Sequence, residues 1–258
     1  MQPQRIIDSP EMMIRTIRRY GILPFFRGAV PGWSVEEMTA PGCWFTDEGV
    51  LGPWDWKIEV VREGDIAYGK FLGGKAAFAT VEWYRLLMSW RRSLPKYRVA
   101  LGEPVAKTPS GQHELQIRTL APIALSAIRQ AGAMEARELR LICSEATKTT
   151  VKKNVMDSVM QFLQMGTWSV IGDIRRVYRG PNLTYNGWQL ASNTTPDALF
   201  QTDRAEAGAP FWARHLDEAP ATPTPTIPTD PTAARQALLD HILTCRPDAS
   251  PATLLKLL

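Results

Sequence analysis

The chain has 258 residues, of which 45% are hydrophobic and 22% are charged, and its formal net charge is +4. This length suits one large domain or two of ordinary size, with ample residues for a hydrophobic core. No apolar run approaches the roughly 18 residues of a membrane-spanning helix, so we expect no membrane partner. Three scattered cysteines and three isolated histidines favour neither a disulfide framework nor a metal site. We therefore predict no metal, no cofactor and a reducing, cytoplasmic setting.

The first hundred residues predict helices interrupted by one hairpin. Pro10 follows Ser9 at the start of the first helix, and Gly21 ends that helix. Gly73-Gly74 separates two short β-prone runs, which is a strong hairpin signal. We predict helices over 10–20, from Ser34, over 53–63 and over 81–93, with strands over 66–72 and 76–80. This order is close to that of a divergent winged-helix unit, and we expect it to occupy residues 1–103.

A tryptophan-rich stretch in this unit holds polar groups that suggest a base-binding pocket. Trp54 and Trp56 flank Asp55, which could act as a general base on a flipped base stacked on tryptophan. Glu37 is a second catalytic candidate. Alternatively, the tryptophans are core residues and the charged groups lie at the surface. The possible pocket residues are Trp54, Trp56, Lys57, Tyr68 and Lys70.

The second half of the chain predicts three helices followed by a hairpin. An apolar stripe at helical spacing covers 120–131, a short amphipathic helix covers 134–143, and a third helix runs from Val151 to Gly166. Strands are expected over 167–174 and 187–191, joined by a polar tip with the turn dipeptides Pro181-Asn182 and Asn186-Gly187. That order is a winged helix, which we predict over residues 114–205.

The charges of this second unit point to duplex DNA. Ten Lys or Arg and five Asp or Glu lie between residues 118 and 191, so this stretch carries all of the chain's positive excess. Lysines near the start of the third helix oppose its macrodipole, and short polar groups behind them could read base edges. The alternative is that these cations only solvate an exposed helix and turn. The predicted DNA-binding residues are Lys148, Lys152, Lys153, Asn154, Ser158, Gln161, Arg175, Arg176 and Arg179.

Several sequence runs resemble a known family. NVMDSVMQFLQMGTWSVIGDIRRVY and NGWQLASNTTPDALF are similar to the winged-helix segment of the AlkZ/YcaQ-type DNA glycosylase superfamily. RYGILPFF, PGWSVEEMT and GPWDWKIEVVREGDIAYGKFLGGKAAF resemble the branch called AlkZ-related proteins. The similarity covers most of residues 10–205, and it implies a fold shared with DNA-repair glycosylases.

The resemblance also bears on catalysis. In the superfamily, the segment after the first helix carries a catalytic Gln-x-Gln or Gln-x-Asp pair, and the best-matching positions here are Pro24, Phe25 and Phe26. These side chains cannot position water or stabilise a developing oxocarbenium ion. We therefore expect a DNA-binding winged-helix protein in which the usual catalytic pair is replaced. The alternatives are a DNA glycosylase that uses a different acidic residue and a winged-helix interaction module that does not bind DNA.

The last fifty residues predict a linker and a helical hairpin. Five prolines between 219 and 231 make residues 206–231 an extended linker. Residues 232–258 contain two amphipathic helices, whose leucines are too apolar to remain solvated. We expect this helical hairpin to dock on the folded body. The predicted fold class is thus α+β, with tandem winged-helix units and a C-terminal helical hairpin.

Overall fold

The structure, a computed structural model, describes residues 6–44, 51–200 and 228–258. In this part of the chain the protein is α+β, with helices packed on two small antiparallel sheets. The helices are α1 Pro10–Tyr20, α2 Val35–Met38, α3 Pro53–Arg62, α4 Val81–Ser93, α5 Pro95–Arg98, α6 Gln112–Ala131, α7 Ala136–Thr147, α8 Lys153–Met165, α9 Pro196–Leu199, α10 Pro231–Cys245 and α11 Pro251–Leu257. The strands are β1 Ile22–Pro24, β2 Ile66–Leu72, β3 Lys75–Thr80, β4 Ala133–Glu135, β5 Val170–Arg179 and β6 Thr184–Thr194.

The first sheet has the strand order β1-β3-β2. Its hairpin turns at Gly73 and Gly74, whose φ angles of 55° and 73° lie in the left-handed region that favours glycine. The predicted hairpin is therefore confirmed. Strand β1 pairs with β3 from Ile22 opposite Ala79 to Pro24 opposite Ala77, so the sheet has a third strand that the sequence pattern did not predict.

The second sheet has the strand order β4-β6-β5 and lies beside α6, α7 and α8. Strand β4 pairs with the end of β6, from Ala133 opposite Thr194 to Glu135 opposite Ser192. The predicted helix over 134–143 was wrong at its start, because residues up to Glu135 are extended. Helix α7 begins only after Glu135, which forms a capping box with Glu138.

The hairpin of β5 and β6 is longer than predicted, and its turn lies elsewhere. The chain reverses at residues 180–183, which include the predicted turn dipeptide Pro181-Asn182. The second predicted turn, Asn186-Gly187, lies inside β6 instead. Gly187 has a φ angle of 81°, and the strand register shifts between Tyr185 and Gln189. A bulge with a left-handed glycine thus gives the same dipeptide signal as a turn.

Two hydrophobic clusters form the core. One lies between α6, α7 and α8. The other joins the first sheet, α1, α3 and α4 to the base of the hairpin through Val170, Ile171 and Ile174. Because the hairpin base belongs to this cluster, the strands beyond it run alongside the start of α3.

The two C-terminal helices pack on the cluster that contains the first sheet and α4, as expected from their apolar stripes. Leu238, Ile242 and Leu254 are at most 1% exposed. The ring of His241 stacks on Trp83 at 3.5 Å between centroids, and its Nε2 lies 2.7 Å from the carbonyl oxygen of Tyr20.

The predicted linker covers residues 206–231, of which 206–227 lie outside the described residues. Within the described ranges, no helix is both long and apolar enough to cross a membrane.

Candidate functional site

The start of α8 carries exposed lysines that lack acidic neighbours in the first helical turn. Lys152 is the N-cap residue and Lys153 the first helical residue, and no side chain caps the helix. Lys148 ends α7 with a φ angle of 54° and is also exposed. Lys153 donates to Asp157 at 2.6 Å, but its side chain is 80% exposed, so this ion pair is weak. Positive charge is thus concentrated where α7 meets α8.

The polar face of α8 is also open in part. Asn154 and Gln161 are exposed. Ser158 is half-buried, with its hydroxyl 3.1 Å from Nε2 of His113, and it donates to the carbonyl of Asn154 at 3.0 Å. Of the three side chains predicted to read bases, two therefore point to solvent and one contacts the start of α6.

The three arginines of the hairpin have different surroundings. Arg179 is exposed, with its guanidinium 5.3 Å from the ring centroid of Trp188. Arg175 donates to Glu135 at 2.7 Å, and its side chain remains 59% exposed. Arg176 is turned inward instead, and its Nε donates to Asp55 at 3.2 Å. It therefore differs from the other two, which the prediction had grouped with it.

Asp55 lies at the start of α3 and accepts three hydrogen bonds on one oxygen, Oδ1. The donors are the hydroxyl of Tyr185 at 2.6 Å, Nε of Arg176 at 3.2 Å and Nε2 of Gln189 at 3.2 Å. All three donors come from the hairpin, more than 120 residues away in sequence. Asp55, Lys57, Arg176, Tyr185 and Gln189 form what we call the hairpin clasp. These three bonds hold Asp55 to the hairpin through Oδ1, so a general-base role would fall to its other oxygen, Oδ2.

Lys57 of α3 is the second α3 residue that holds the hairpin. Its Nζ donates to the side-chain oxygen of Gln189 and to the carbonyl of Trp54, and it lies 3.4 Å from the centroid of the Trp54 ring. The residue is only 3% exposed. Burial lowers the pKa of Lys57 to about 7, although the carboxylate of Asp55 acts in the opposite direction.

The predicted pocket residues do not all face one space. Trp56 and Tyr68 are buried in the core, whereas Trp54 is 41% exposed and donates from Nε1 to the carbonyl of Gly187 at 3.0 Å. Lys70 is exposed on β2. Phe25 is fully buried, with its ring 6.3 Å from that of Trp54. The aromatic cluster thus has a packed side and one solvent-facing tryptophan.

Glu37 has a local structural role at the start of α2. Its carboxylate accepts from the Ser34 hydroxyl at 2.7 Å and from the Gly32 amide at 2.9 Å, and it lies 3.5 Å from Nε of Arg27. Ser34 in turn caps the helix by accepting from the Glu37 amide. These contacts hold the turn before α2, and none of them involves the hairpin clasp.

A cleft of about 520 Å³ separates α7 and α8 from β6, and we call it the amphipathic cleft. Apolar side chains and four cations line it, and two of the cations, Arg137 and Arg140, were missed in the sequence. The sequence feature that could have revealed them is the position of Arg137 in the first turn of α7, where the helix macrodipole favours an acidic residue.

Among the described residues, no group of three or more His, Cys, Asp or Glu could hold a metal ion.

These observations define an α+β protein in which an exposed basic helix and a hairpin border one cleft. The family described as AlkZ related matches residues 7–258, nearly the whole chain. The chain therefore belongs to the AlkZ-related family, and this membership supports a fold like that of DNA-repair glycosylases. No curated protein and no solved structure gave a match.

Proposed function

We propose that this protein binds duplex DNA through α8 and the β5–β6 hairpin. The observation that carries the proposal is the pair Lys152 and Lys153, exposed at the start of a helix whose first turn has no acid. Such a helix is less stable than one with Asp or Glu there, so the lysines are better explained by an anionic partner. Duplex DNA offers the regular array of phosphates that two such elements can contact together.

The order of elements supports a winged helix as the DNA-binding unit. Helix α6, strand β4, helices α7 and α8, and strands β5 and β6 follow one another, and β4 pairs with β6. In a winged helix of this order, the third helix enters the major groove and the hairpin contacts the backbone beside it. Helix α8 would then present Asn154 and Gln161 to base edges, while Lys148, Lys152, Lys153, Arg175 and Arg179 contact phosphates.

The hairpin clasp supports the same proposal in a different way. Arg176, Tyr185 and Gln189 fix the hairpin to Asp55 and Lys57 of α3. A hairpin that is already held loses little conformational freedom when it binds. We therefore assign Arg176 to holding the hairpin and leave the phosphate contacts to its exposed neighbours.

An interaction module that does not bind DNA is less well supported. In such a protein the C-terminal helices could have covered the polar face of α8. Helices α10 and α11 instead pack against α4 and the β2–β3 turn, where the Gly73 amide donates to the Leu257 carbonyl at 2.8 Å. Lys152, Lys153 and Asn154 remain exposed.

The test is a titration of fluorescent duplex DNA at several salt concentrations. We expect micromolar or tighter binding at low salt, with a salt dependence that reflects counterion release. Lys152→Ala combined with Lys153→Ala should weaken binding and reduce the salt slope by about two charge units. The matched control is Arg85→Ala with Lys256→Ala, which removes two exposed cations from α4 and α11. Equal losses in the two double variants, or salt-insensitive binding by the natural chain, would contradict the proposal.

We also propose that the usual glycosylase reaction is lost. Pro24 is paired in β1 and Phe25 is fully buried, so neither can present a polar group to a substrate. An active enzyme that uses Asp55 is the second candidate, because Asp55 lies beside the solvent-facing Trp54. Incubation with alkylated duplex DNA followed by alkaline cleavage should give background signal only. Cleavage that Asp55→Asn abolishes, but that Glu59→Gln on the same helix leaves intact, would favour the enzyme instead.

A further inference from the structure

The amphipathic cleft has the size and lining of a small-molecule site. Its volume of about 520 Å³ lies within the range of ligand cavities, roughly 300–1,000 Å³. Its walls come from α7, α8 and β6, and Lys70 of β2 reaches its rim. Its apolar lining includes Met156, Met160, Ile171 and Leu190, next to the half-exposed indole of Trp188.

The charges around this cleft are not balanced. Its two carboxylates are already neutralised, since Glu135 accepts from Arg175 at 2.7 Å and Asp157 from Lys153 at 2.6 Å. The side chains of three further cations make no hydrogen bond or ion pair with any residue of the chain that the structure describes. These cations are Lys70, Arg137 and Arg140.

The three cations come from two separate elements. Arg137 and Arg140 are three residues apart on α7 and share one helix face, whereas Lys70 belongs to β2. Cations held on different elements around one cavity suit an anion with several acceptor oxygens better than a single carboxylate. Arg137 also opposes the α7 macrodipole, so its position does not serve the helix.

We infer that the amphipathic cleft binds one nucleoside monophosphate unit. Its phosphate faces Lys70, Arg137 and Arg140, and its flat base lies against the methionines and Trp188, which favour contacts with aromatic rings. Gln161, also on the cleft wall, has an exposed amide that can pair with a base edge. The unit can be a free nucleotide or the phosphorylated end of a DNA strand, because both carry the same chemistry.

Calorimetric titration compares 2′-deoxyadenosine 5′-monophosphate with 2′-deoxyadenosine. The nucleotide should bind at least about tenfold more tightly, because only the phosphate makes charge-assisted hydrogen bonds with the cations. Arg137→Ala with Arg140→Ala should remove this preference, whereas Arg85→Ala, an exposed arginine outside the cleft, should retain it. An unchanged melting temperature shows that the double variant is folded. Nucleotide binding that survives in the double variant would overturn the inference.

A second pair of ligands distinguishes the two sources. One duplex carries a single-nucleotide overhang with a 5′-phosphate, and the other carries the same overhang without it. If the free nucleotide does not bind, a preference of about tenfold for the phosphorylated end, lost on Arg137→Ala with Arg140→Ala, supports a strand end. No preference in either experiment refutes the inference.

The test of nucleotide binding in the amphipathic cleft can be distinguished from the test of duplex binding. Lys148→Ala with Lys152→Ala tests the duplex interface, because neither lysine lines the amphipathic cleft, whereas Arg137→Ala with Arg140→Ala tests the cleft. A chain that binds the nucleotide but no blunt duplex would contradict only the proposed function. A chain with the opposite behaviour would contradict only the cleft site.

Discussion

Arg91 on α4 offers a sharp test of how the C-terminal helices are held. Its guanidinium is fully buried and donates from Nε to a main-chain oxygen of Leu258 at 3.0 Å and from an Nη to the Met165 carbonyl at 2.8 Å. A further Nη donates to the carbonyl of Leu257 at 3.4 Å. Burial lowers the pKa of Arg91 to about 10, so the group is still charged at neutral pH. One side chain thus joins α4, the end of α8 and the end of α11.

The change to test is Arg91→Met, which keeps the apolar stem and removes every donor. Each carbonyl left without a partner costs about 1–3 kcal/mol when buried. Part of that loss is offset, because the variant no longer has to desolvate a cation. We therefore expect the free energy of unfolding to fall by about 2–4 kcal/mol. For a chain of this size, that corresponds to a melting temperature lower by about 5–15 °C.

Thermal unfolding followed by circular dichroism measures this change, and limited proteolysis reports whether α10 and α11 are released first. The control is Arg85→Met on the same helix, where the side chain is exposed and the expected effect is within about 0.5 kcal/mol. Arg91→Lys should fall between the two, because it keeps the charge but not the planar fork of donors. Equal melting temperatures for the Arg91→Met and Arg85→Met variants would refute the reasoning.

Three further predictions concern single residues. Because the pKa of Lys57 is lowered to about 7, the unfolded chain binds more protons than the folded chain between about pH 7 and 10.5. The free energy of unfolding should therefore rise with pH in this range. Urea titrations should show a smaller rise for Lys57→Met. Burial also lowers the pKa of His241, so the C-terminal helices should become more protease-sensitive below about pH 6.5, and His241→Gln should not show this added sensitivity. Gly74→Ala should destabilise the chain by about 1–2 kcal/mol, because a φ angle of 73° is unfavourable for a residue with a Cβ atom. An unchanged melting temperature would contradict this.

Elements marked by local signals could be predicted from the sequence. Ser9 accepts from the Met12 amide at the start of α1, and Gly21 ends the helix with a φ angle of 67°. The Gly73-Gly74 turn is equally local, because only a few residues determine it. Such signals need no knowledge of distant residues, and these elements were predicted to within about one residue.

Features that depend on distant partners could not be predicted in this way. Strand β4 is three residues long, and it is extended because Ala133 pairs with Thr194, 61 residues later. Asn186-Gly187 has the composition of a turn, yet its role as a bulge follows from the pairing of β6 with β5. The bond between Asp55 and Arg176 joins residues 121 positions apart. Local sequence carries no information on any of these pairings.

The charged residues also divide into those whose surroundings follow from local sequence and those whose surroundings depend on distant partners. The sequence placed Lys148, Lys152 and Lys153 in or beside the first turn of the third helix, and in the structure Lys152 and Lys153 are at that helix start and all three are exposed. It gave no reason to separate Arg176 from Arg175, since neighbouring residues on a strand differ only in the face they occupy. Arg175 lies on the outer face with Glu135, whereas Arg176 lies on the inner face against Asp55. Strand alternation, once the hairpin is known to pack on α3, accounts for the difference.

The position of the hairpin clasp has a consequence for recognition. It fixes β5 and β6 to α3 through Arg176, Tyr185 and Gln189, whereas the turn at 180–183 and the side chain of Arg179 make none of these contacts. In the proposed DNA complex, the basic start of α8 and the exposed Arg175 and Arg179 would meet the ligand as parts of one scaffold, and neither would have to be ordered on binding. Affinity in that complex would depend mainly on counterion release, because the hairpin is already ordered before binding. A Tyr185→Phe change would weaken the hairpin clasp without touching an exposed cation, so any loss of affinity it causes would measure this pre-ordering separately from charge.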